Sequence, residues 1–217
     1  MTLGTAIVVG VGPGLGLALA RTFHDAGHPV AILGRNEERL GGFASTLAGG
    51  EPVRAYAVDV ADRESLRTTI EQAVTDLGAP EVLLYNAAVL RTDSPTDGDD
   101  AGWVHSFEVN VLGAKVAAES VLSALQGPGS LLFTGGGLGT APSPQYASLS
   151  VGKAGLRAYV HTLAAEQAEK GVHATVVSIG GVIDGGEDRL SSSVLAQAYL
   201  ELHRQDTSDW TPELVRD

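Results

Sequence analysis

The chain has 217 residues, enough for one domain with a substantial buried core and few for two. Its formal net charge of −12, with no Lys/Arg stripe to offset it, would repel the phosphates of a nucleic acid, so no nucleic-acid partner is expected. Cysteine is absent, which excludes disulfides and thiolate metal sites, and neither a basic leader nor a run of ~18 apolar residues is present, so we expect a cytoplasmic protein without a membrane partner.

Apolar runs bounded by turn residues alternate with segments of helical periodicity along the chain. The runs predict strands at 5–10, 29–34, 53–58, 81–85, 130–134 and 172–178, with a candidate edge strand at about 210–215. The periodic segments predict helices at 15–26, 36–48, 62–77, about 99–125, about 144–170 and about 188–203. Strands that are apolar throughout are buried on both faces, and helices between them require parallel crossovers. We therefore expect an α/β fold, a doubly wound parallel sheet (Rossmann fold) of about seven strands, as a single domain over 1–217.

A glycine-rich turn, GVGPGLG at 10–16, joins the first predicted strand to the first predicted helix. Glycines there allow a sharp turn and a close approach of backbone amides to a pyrophosphate, which the helix start then binds. A purely structural turn is the alternative, but the position at the start of a βαβ unit favours dinucleotide binding. The predicted contacts of the turn are Gly10, Gly12, Pro13, Gly14, Leu15 and Gly16.

The residue after the second strand indicates which dinucleotide is bound, because the adenosine ribose lies over this strand end. An acidic residue there would hold the ribose 2′-hydroxyl and repel a 2′-phosphate, whereas this chain has Arg35. A guanidinium pairs with a phosphate through two parallel hydrogen bonds. Arg35 therefore favours NADP(H) over NAD(H), and a solvated arginine beside Glu37 and Glu38 is the alternative.

Further motifs follow at the ends of strands and within the long helix. Besides the G-x-x-x-G-x-G spacing of the turn, they are Asp59-Val60, Asn86-Ala87-Ala88, Asn110 and the loop 179–183 with Gly181 and Val182. Together they resemble the short-chain dehydrogenase/reductase family over nearly the whole chain. The resemblance implies that Asp59 and Val60 contact adenine, that the segment after the fourth strand binds the cofactor and that the late loop lies beside the nicotinamide. It also implies that Asn110 holds a water for proton relay, although an ordinary helix residue remains the alternative.

The catalytic part of the family pattern is incomplete. The family carries Tyr-x-x-x-Lys on a helix, where the ammonium lowers the phenol pKa and binds the nicotinamide ribose. Lys153 matches the lysine, but Leu149 stands at the tyrosine position and Gly136 at the position of the family serine. Hydride transfer to a carbonyl needs a proton donor, which contributes roughly 10²–10⁴-fold in rate. The resemblance thus implies an atypical member that lacks both usual hydroxyls.

Three substitutes for the missing donor remain open. Tyr146 lies seven residues before Lys153 and would share its helix side two turns away, unless the chain bends before the helix. A tyrosine packed under the substrate loop is its other interpretation. Ser148 and Ser150 are the second substitute, but their positions in the helix place them off the face that carries Lys153. A water held by Lys153 and Asn110 is the third substitute, so the predicted catalytic residues are Lys153, Asn110 and Tyr146.

Two functions remain open from the sequence. The cofactor motifs favour an NADP(H)-dependent oxidoreductase whose small-molecule substrate is an organic carbonyl, alcohol or related group. The missing hydroxyls favour a lyase, dehydratase or cyclase, or a silent cofactor-binding sensor, on the same scaffold. The resemblance implies a homodimer or homotetramer, and a loop and helix at about 183–205 would select the substrate.

Two remaining features are expected to carry no function. His24 and His28 are four apart, but Gly27 ends the helix between them and no third ligand is nearby, so no metal site is expected. The acidic loop 93–100 is interpreted as a solvated connection.

Overall fold

The computed structural model describes residues 3–97 and 99–217, over which strands and helices alternate. The strands are β1 (Thr5–Val9), β2 (Val30–Gly34), β3 (Val53–Ala57), β4 (Pro80–Tyr85), β5 (Gly129–Thr134), β6 (Val172–Ile179) and β7 (Glu213–Arg216). The α-helices are α1 (Leu15–Asp25), α2 (Glu37–Thr46), α3 (Arg63–Leu77), α4 (Asp100–Phe107), α5 (Gly113–Ala124), α6 (Ala147–Gln167) and α7 (Ser192–His203). Each predicted strand and helix forms, with ends shifted by a few residues.

Within the described residues the seven strands form one parallel sheet in the order β3-β2-β1-β4-β5-β6-β7. Residues of α1, α2 and α7 bury one face of the sheet, and residues of α3, α5 and α6 bury the other. The predicted doubly wound parallel sheet is confirmed. Strand order reverses between β1 and β4, so the loops after these strands open a crevice at the carboxyl edge of the sheet.

The expectation that strands are buried on both faces is wrong at the two sheet edges. Arg54 and Ala57 are exposed on β3, the outermost strand on one side of the sheet. At the other edge, β7 is held by Glu213, which accepts hydrogen bonds from Arg157 Nη2 at 2.6 Å and from Ser178 Oγ at 2.7 Å. The Arg157 guanidinium lowers the pKa of Glu213 to about 2. One carboxylate thus ties this short edge strand to α6 and adds to its backbone pairing with β6.

The helix predicted over 99–125 is interrupted between α4 and α5 by a π-helical turn over Glu108–Leu112. Tyr85, at the end of β4, donates its hydroxyl to Val109 O at 2.6 Å and so removes this carbonyl from the α-helical ladder. The Gly113 N–H instead reaches back five residues, to the first carbonyl of the turn. Asn110 consequently lies in a locally widened turn.

The helix α6 begins later than predicted, with Tyr146 as its N-cap residue in a non-helical conformation (φ −135°, ψ 48°). Tyr146 supplies no capping side chain. Asp93, from the loop after β4, caps the helix instead by accepting the Ser148 N–H at 3.1 Å. The interpretation of the acidic loop as a solvated connection is therefore wrong at Asp93, whose side chain is 1% exposed. Gly98 of the same loop lies outside the described residues.

Candidate functional site

Two glycines of the turn between β1 and α1 are required by backbone contacts. Gly10 has φ +88°, and a Cβ on it would lie 2.4 Å from Ala87 N. A Cβ on Gly16 would lie 2.7 Å from Gly10 O. Asn86 secures the same contact, since its Nδ2 donates to Gly10 O at 3.0 Å. A side chain at Gly10 would therefore push the turn away from the segment after β4, and one at Gly16 would open the turn itself.

Close backbone contacts do not require the other two glycines of the turn. No heavy atom would lie within 4 Å of a Cβ on Gly12, and Gly14 begins α1 without a capping side chain. Pro13 between them is exposed, and Leu15 is buried. By contrast, four other helices, α2, α3, α4 and α7, begin on capping side chains, namely those of Asn36, Asp62, Asp99 and Ser191. Because α1 also lacks an acidic residue in its first turn, its free N–H groups can receive an anion.

The ends of β2 and β3 place charged residues at the outer side of the crevice. Arg35 directly follows β2, is exposed, and forms no hydrogen bond or ion pair with any residue that the structure describes. Asp59 follows β3, and its Oδ1 accepts the Ala61 N–H at 3.0 Å, while Val60 is only 6% exposed. An uncompensated guanidinium in this position suits a phosphate group.

Lys153 is buried on α6, where its Nζ donates to Thr134 O at the end of β5 at 2.7 Å. Burial lowers the pKa of Lys153 to about 8, because the ammonium loses its hydration. The Thr134 hydroxyl in turn hydrogen-bonds to the Tyr199 hydroxyl of α7 at 2.8 Å. Tyr199 is fully buried and burial raises its pKa, so its phenol stays protonated and positions Thr134.

The two positions without the family hydroxyls have different surroundings. Gly136 is extended (φ 179°), and the nearest heavy atoms to a Cβ there would be Ile179 O and Lys153 Cε at 3.8 Å. Leu149 is 2% exposed, so apolar atoms already fill its place in α6. A side chain would fit at Gly136, whereas a larger one at Leu149 would need the neighbouring atoms to move.

Asn110 is fully buried beside the turn of α6 that carries the lysine. A Cβ on Gly152, the residue before Lys153, would lie 2.9 Å from Asn110 Cβ. Asn110 Nδ2 donates to Ser106 O at 2.8 Å, and its buried Oδ1 has no hydrogen-bond partner among the residues described. This unsatisfied carbonyl can accept a hydrogen bond from an O–H or N–H group that does not belong to the chain.

The three candidate hydroxyls at the start of α6 are placed differently. Tyr146 precedes the helix and is 39% exposed, so the two-turn spacing expected on a continuous helix does not apply. Ser150 Oγ donates to Tyr146 O at 2.8 Å and accepts the Ser143 N–H at 3.1 Å, which stabilises the helix start. Ser148 Oγ is buried without a hydrogen-bond partner in the described chain. Tyr146 is thus the most exposed phenol at this edge.

The loop after β6 approaches the glycine turn. A Cβ on Gly181 would lie 2.4 Å from the Leu190 side chain, and Val182 is 75% exposed. Asp184, at φ +58°, accepts the Ser192 N–H at 2.7 Å through Oδ1. Its Oδ2 would lie 3.6 Å from a Cβ on Gly14. A carboxylate held at the start of α7 therefore borders the place where α1 can receive an anion.

The chain is similar to known proteins over most of its length. The sequence profile described as short chain dehydrogenase matches residues 4–188. The chain belongs to this family. A short chain dehydrogenase of Pseudocercospora fijiensis is 29% identical to it over 210 residues, which cover 93% of this chain and 67% of that protein.

Solved structures of other proteins have the same fold. The L-sorbose reductase of Gluconobacter frateurii, complexed with NADPH and L-sorbose, has a TM-score of 0.91 at 22% identity and covers 100% of this chain and 96% of its own. A short chain dehydrogenase of Burkholderia cenocepacia, in complex with NADP, has a TM-score of 0.90 at 22% identity, covering 98% and 95%. The resemblance stated from the sequence is therefore confirmed for family and fold, and the family is one of oxidoreductases. No helix within residues 3–97 and 99–217 is long and apolar enough to cross a membrane.

Sequence motifs did not reveal three residues that shape this short-chain dehydrogenase site. Asp93 caps α6 across 55 residues, and Tyr199 meets Thr134 across 65 residues, so no local pattern connects these partners. Asp184 follows the predicted late loop directly, and an aspartate near a glycine pair is one signal of a left-handed conformation. The roles predicted for Lys153 and the other site residues remain predictions.

Proposed function

We propose that this chain is an NADP(H)-dependent oxidoreductase acting on a small organic carbonyl or alcohol through an atypical active site. The observation that carries the proposal is the buried Lys153 ammonium beside the open position at Gly136, on the same sheet edge as the uncapped start of α1. The start of α1 supplies an anion site, and Lys153 supplies a proton donor that titrates near neutral pH.

The residues around the crevice fit NADP(H). The open backbone at Gly12 and Gly14 suits a pyrophosphate, and the free Arg35 suits the 2′-phosphate that distinguishes NADP from NAD. The structural neighbours bound to NADP or NADPH support this choice. Asp184 opposes it, but its charge is offset by the Ser192 N–H and by the start of α7. When bound, NADP(H) supplies or accepts the hydride.

The chain's own groups would hold the reacting partners and move the proton. Lys153 uses one N–H for Thr134 O, which leaves its others for a ribose hydroxyl and for the proton relay. With a pKa of about 8, it can be reprotonated from solvent near neutral pH. Asn110 Oδ1 would accept from the relay molecule, since it has no other partner in the described chain.

The final donor to the substrate oxygen is either the exposed Tyr146 phenol or a water between Asn110 and Lys153. Ser150 is engaged in the helix start, which argues against it. We further propose that 183–205 selects the substrate, because Asp184 and the start of α7 border the crevice. The assembly is expected to be a homodimer or homotetramer, which light scattering of the purified chain would measure.

Cofactor choice is tested by calorimetric titration with NADP⁺ and NAD⁺. Arg35→Ala should weaken NADP⁺ binding by about tenfold or more and leave NAD⁺ binding unchanged, because only NADP⁺ carries the 2′-phosphate. Arg39→Ala, an exposed arginine one turn further along α2, is the matched control and should change neither constant. Equal affinity for both dinucleotides in the unaltered chain would contradict the preference.

The reaction is tested with NADPH and a panel of aldehydes, ketones, imines and enones. Turnover should appear with at least one class and fall by roughly 10²–10⁴-fold in Lys153→Met. Lys170→Met, at an exposed lysine paired with Glu166, should retain the rate. Tyr146→Phe separates the two donors, since only a phenol donor would lose the rate with it.

A second function is favoured by one observation, the apolar filling of the tyrosine position by Leu149. A chain that binds the dinucleotide without net redox chemistry, as a lyase, dehydratase, cyclase or sensor, has no need of that hydroxyl. Tight NADP⁺ binding without hydride exchange across the panel would support this function over the first.

A further inference from the structure

Two histidines and a glutamate meet at the amino-terminal edge of the sheet, opposite the dinucleotide crevice. His28 precedes β2, Glu81 lies at the start of β4, and His203 ends α7. One potential ligand atom from each lies within 4.8 Å of the other two. His28 is 2% exposed, while the side chains of His203 and Glu81 are 10% and 31% exposed, so one side of the group reaches solvent.

Each of the three side chains is held in place through its other polar atom. His28 Nδ1 donates to Gly4 O at 2.8 Å, so its Nε2 carries the free lone pair. His203 Nδ1 hydrogen-bonds to Ser130 Oγ at 2.9 Å. Glu81 Oε2 accepts the Gly4 N–H at 2.6 Å, which leaves Oε1. Imidazoles oriented by such outer hydrogen bonds are typical of metal sites, because the bond fixes the tautomer and the ring.

We propose that His28, Glu81 and His203 form a site for a divalent transition-metal ion, with Zn²⁺ as the ion that the donors suit best. Two imidazole nitrogens and one carboxylate oxygen are a set that Zn²⁺ takes, whereas Mg²⁺ and Ca²⁺ take oxygen ligands. Because Glu81 is the most exposed of the three, a water would complete the coordination from its side.

The distances allow this coordination with small movements. Ligands about 2.1 Å from a tetrahedral ion are roughly 3.4 Å apart. His203 Nε2 and Glu81 Oε1 are 3.6 Å apart. The His28 and His203 rings are 5.3 Å apart at 67°, so they can converge on one ion without stacking. The ligand atom of His28 lies within 4.8 Å of the other two, so it would move closer to the tetrahedral spacing as an ion binds.

The spacing of His24 and His28 in the sequence predicts no metal site, and the proposal departs from that expectation. In the fold the two histidines separate, because His24 Nε2 lies 3.0 Å from Glu51 O. His28 turns to partners from β4 and α7 that no spacing rule connects to it. A bound ion would join the loop before β2 to the start of β4 and the end of α7, far from the proposed chemistry.

The full chain, freed of metal by a chelator and dialysed, is titrated with ZnCl₂ in a calorimeter and its thermal unfolding is followed. We expect saturable binding of one ion per chain and a rise of Tm by several degrees. Glu81→Gln and His203→Gln should each weaken binding by about tenfold or more. His161→Gln, which removes a histidine 3.3 Å from Glu213 at β7, is the matched control and should bind like the unaltered chain.

Absence of saturable Zn²⁺ binding would overturn the proposal. So would binding that survives both Glu81→Gln and His203→Gln, or that is lost equally in His161→Gln, because the ion would then lie elsewhere. If a ligand variant does not fold, Co²⁺ substitution in the unaltered chain decides. Strong visible absorption of a tetrahedral ion supports the site, and the weak absorption of the octahedral aqua ion counts against it.

Discussion

The cofactor turn (10–16) and the chemical segment (the end of β5 with α6) differ in how strictly the backbone dictates their residues. A Cβ on Gly10 or Gly16 would lie 2.4 or 2.7 Å from a backbone atom, whereas a Cβ on Gly136 would have no neighbour closer than 3.8 Å. The fold therefore requires Gly10 and Gly16 of the turn and does not require the glycine at the serine position. The missing serine hydroxyl is a chemical property of this chain and does not follow from its packing.

Gly10→Ala is expected to have the largest effect. Its φ of +88° and the 2.4 Å approach to Ala87 N would impose strain and overlap together, so we expect a loss of about 4 kcal/mol or more in the free energy of unfolding. Denaturant unfolding measures it. Gly12→Ala is the control: with no atom within 4 Å it should cost less than about 0.5 kcal/mol yet weaken NADP⁺ binding. Equal losses in the free energy of unfolding for the two variants would show that the backbone contact at Gly10 does not restrict this position more than Gly12.

Lys153→Met should remove a pH dependence of stability that belongs to the chemical segment. With a pKa of about 8 in the fold and 10.5 ordinarily, the folded chain binds fewer protons than the unfolded chain between these values. The free energy of unfolding should therefore rise with pH across this window, by roughly 3 kcal/mol for the single lysine. Unfolding curves at several pH values measure the slope, with Lys170→Met as the exposed control. An unchanged slope in Lys153→Met would show that the ammonium is not desolvated.

Asp93→Ala should have an intermediate effect, because it removes the cap that the loop after β4 supplies to α6. Loss of the bond to the Ser148 N–H should cost about 1–2 kcal/mol. Asp93→Asn keeps an acceptor and should recover much of this loss, and Asp97→Ala in the same exposed loop should be neutral. Hydrogen exchange at the start of α6 measures the effect locally. Unaltered protection there in Asp93→Ala would assign the cap to another group.

Gly136→Ser should have the smallest effect on stability, within about 0.5 kcal/mol. Its extended backbone suits any residue, and neighbours at 3.8 Å leave room for the new side chain. The hydroxyl would lie beside Lys153, so turnover with NADPH should increase. A loss above about 1 kcal/mol would contradict the view that packing permits a serine here.

Much of the fold could be predicted because local patterns cause it. Apolar runs bounded by turn residues predict the positions of the strands, and helical periodicity predicts the helices between them. The π-helical turn could not be predicted, because it depends on the Tyr85 hydroxyl, 24 residues before Val109. The late start of α6 depends likewise on Asp93 from a distant loop.

The candidate site divides in the same way. The turn 10–16 and Arg35 are predicted from their places in one strand–helix unit, and Lys153 is predicted from the family resemblance. The partners of Lys153 are not, because Thr134 is brought to it by sheet pairing and is fixed by Tyr199 from α7. Burial, which lowers the Lys153 pKa, is likewise a property of the assembled layers.

Two adjacent residues at the end of β4 hold the cofactor turn and the helical turn that carries Asn110. Tyr85 donates to Val109 O at 2.6 Å, while the next residue, Asn86, holds Gly10 O at 3.0 Å. Without that hydroxyl the widened turn could close into a regular α-turn, and the removal of one residue from the helical register would rotate the preceding residues by about 100°. Two adjacent side chains at a single strand end thus fix the positions of both the glycine turn and the amide beside the lysine.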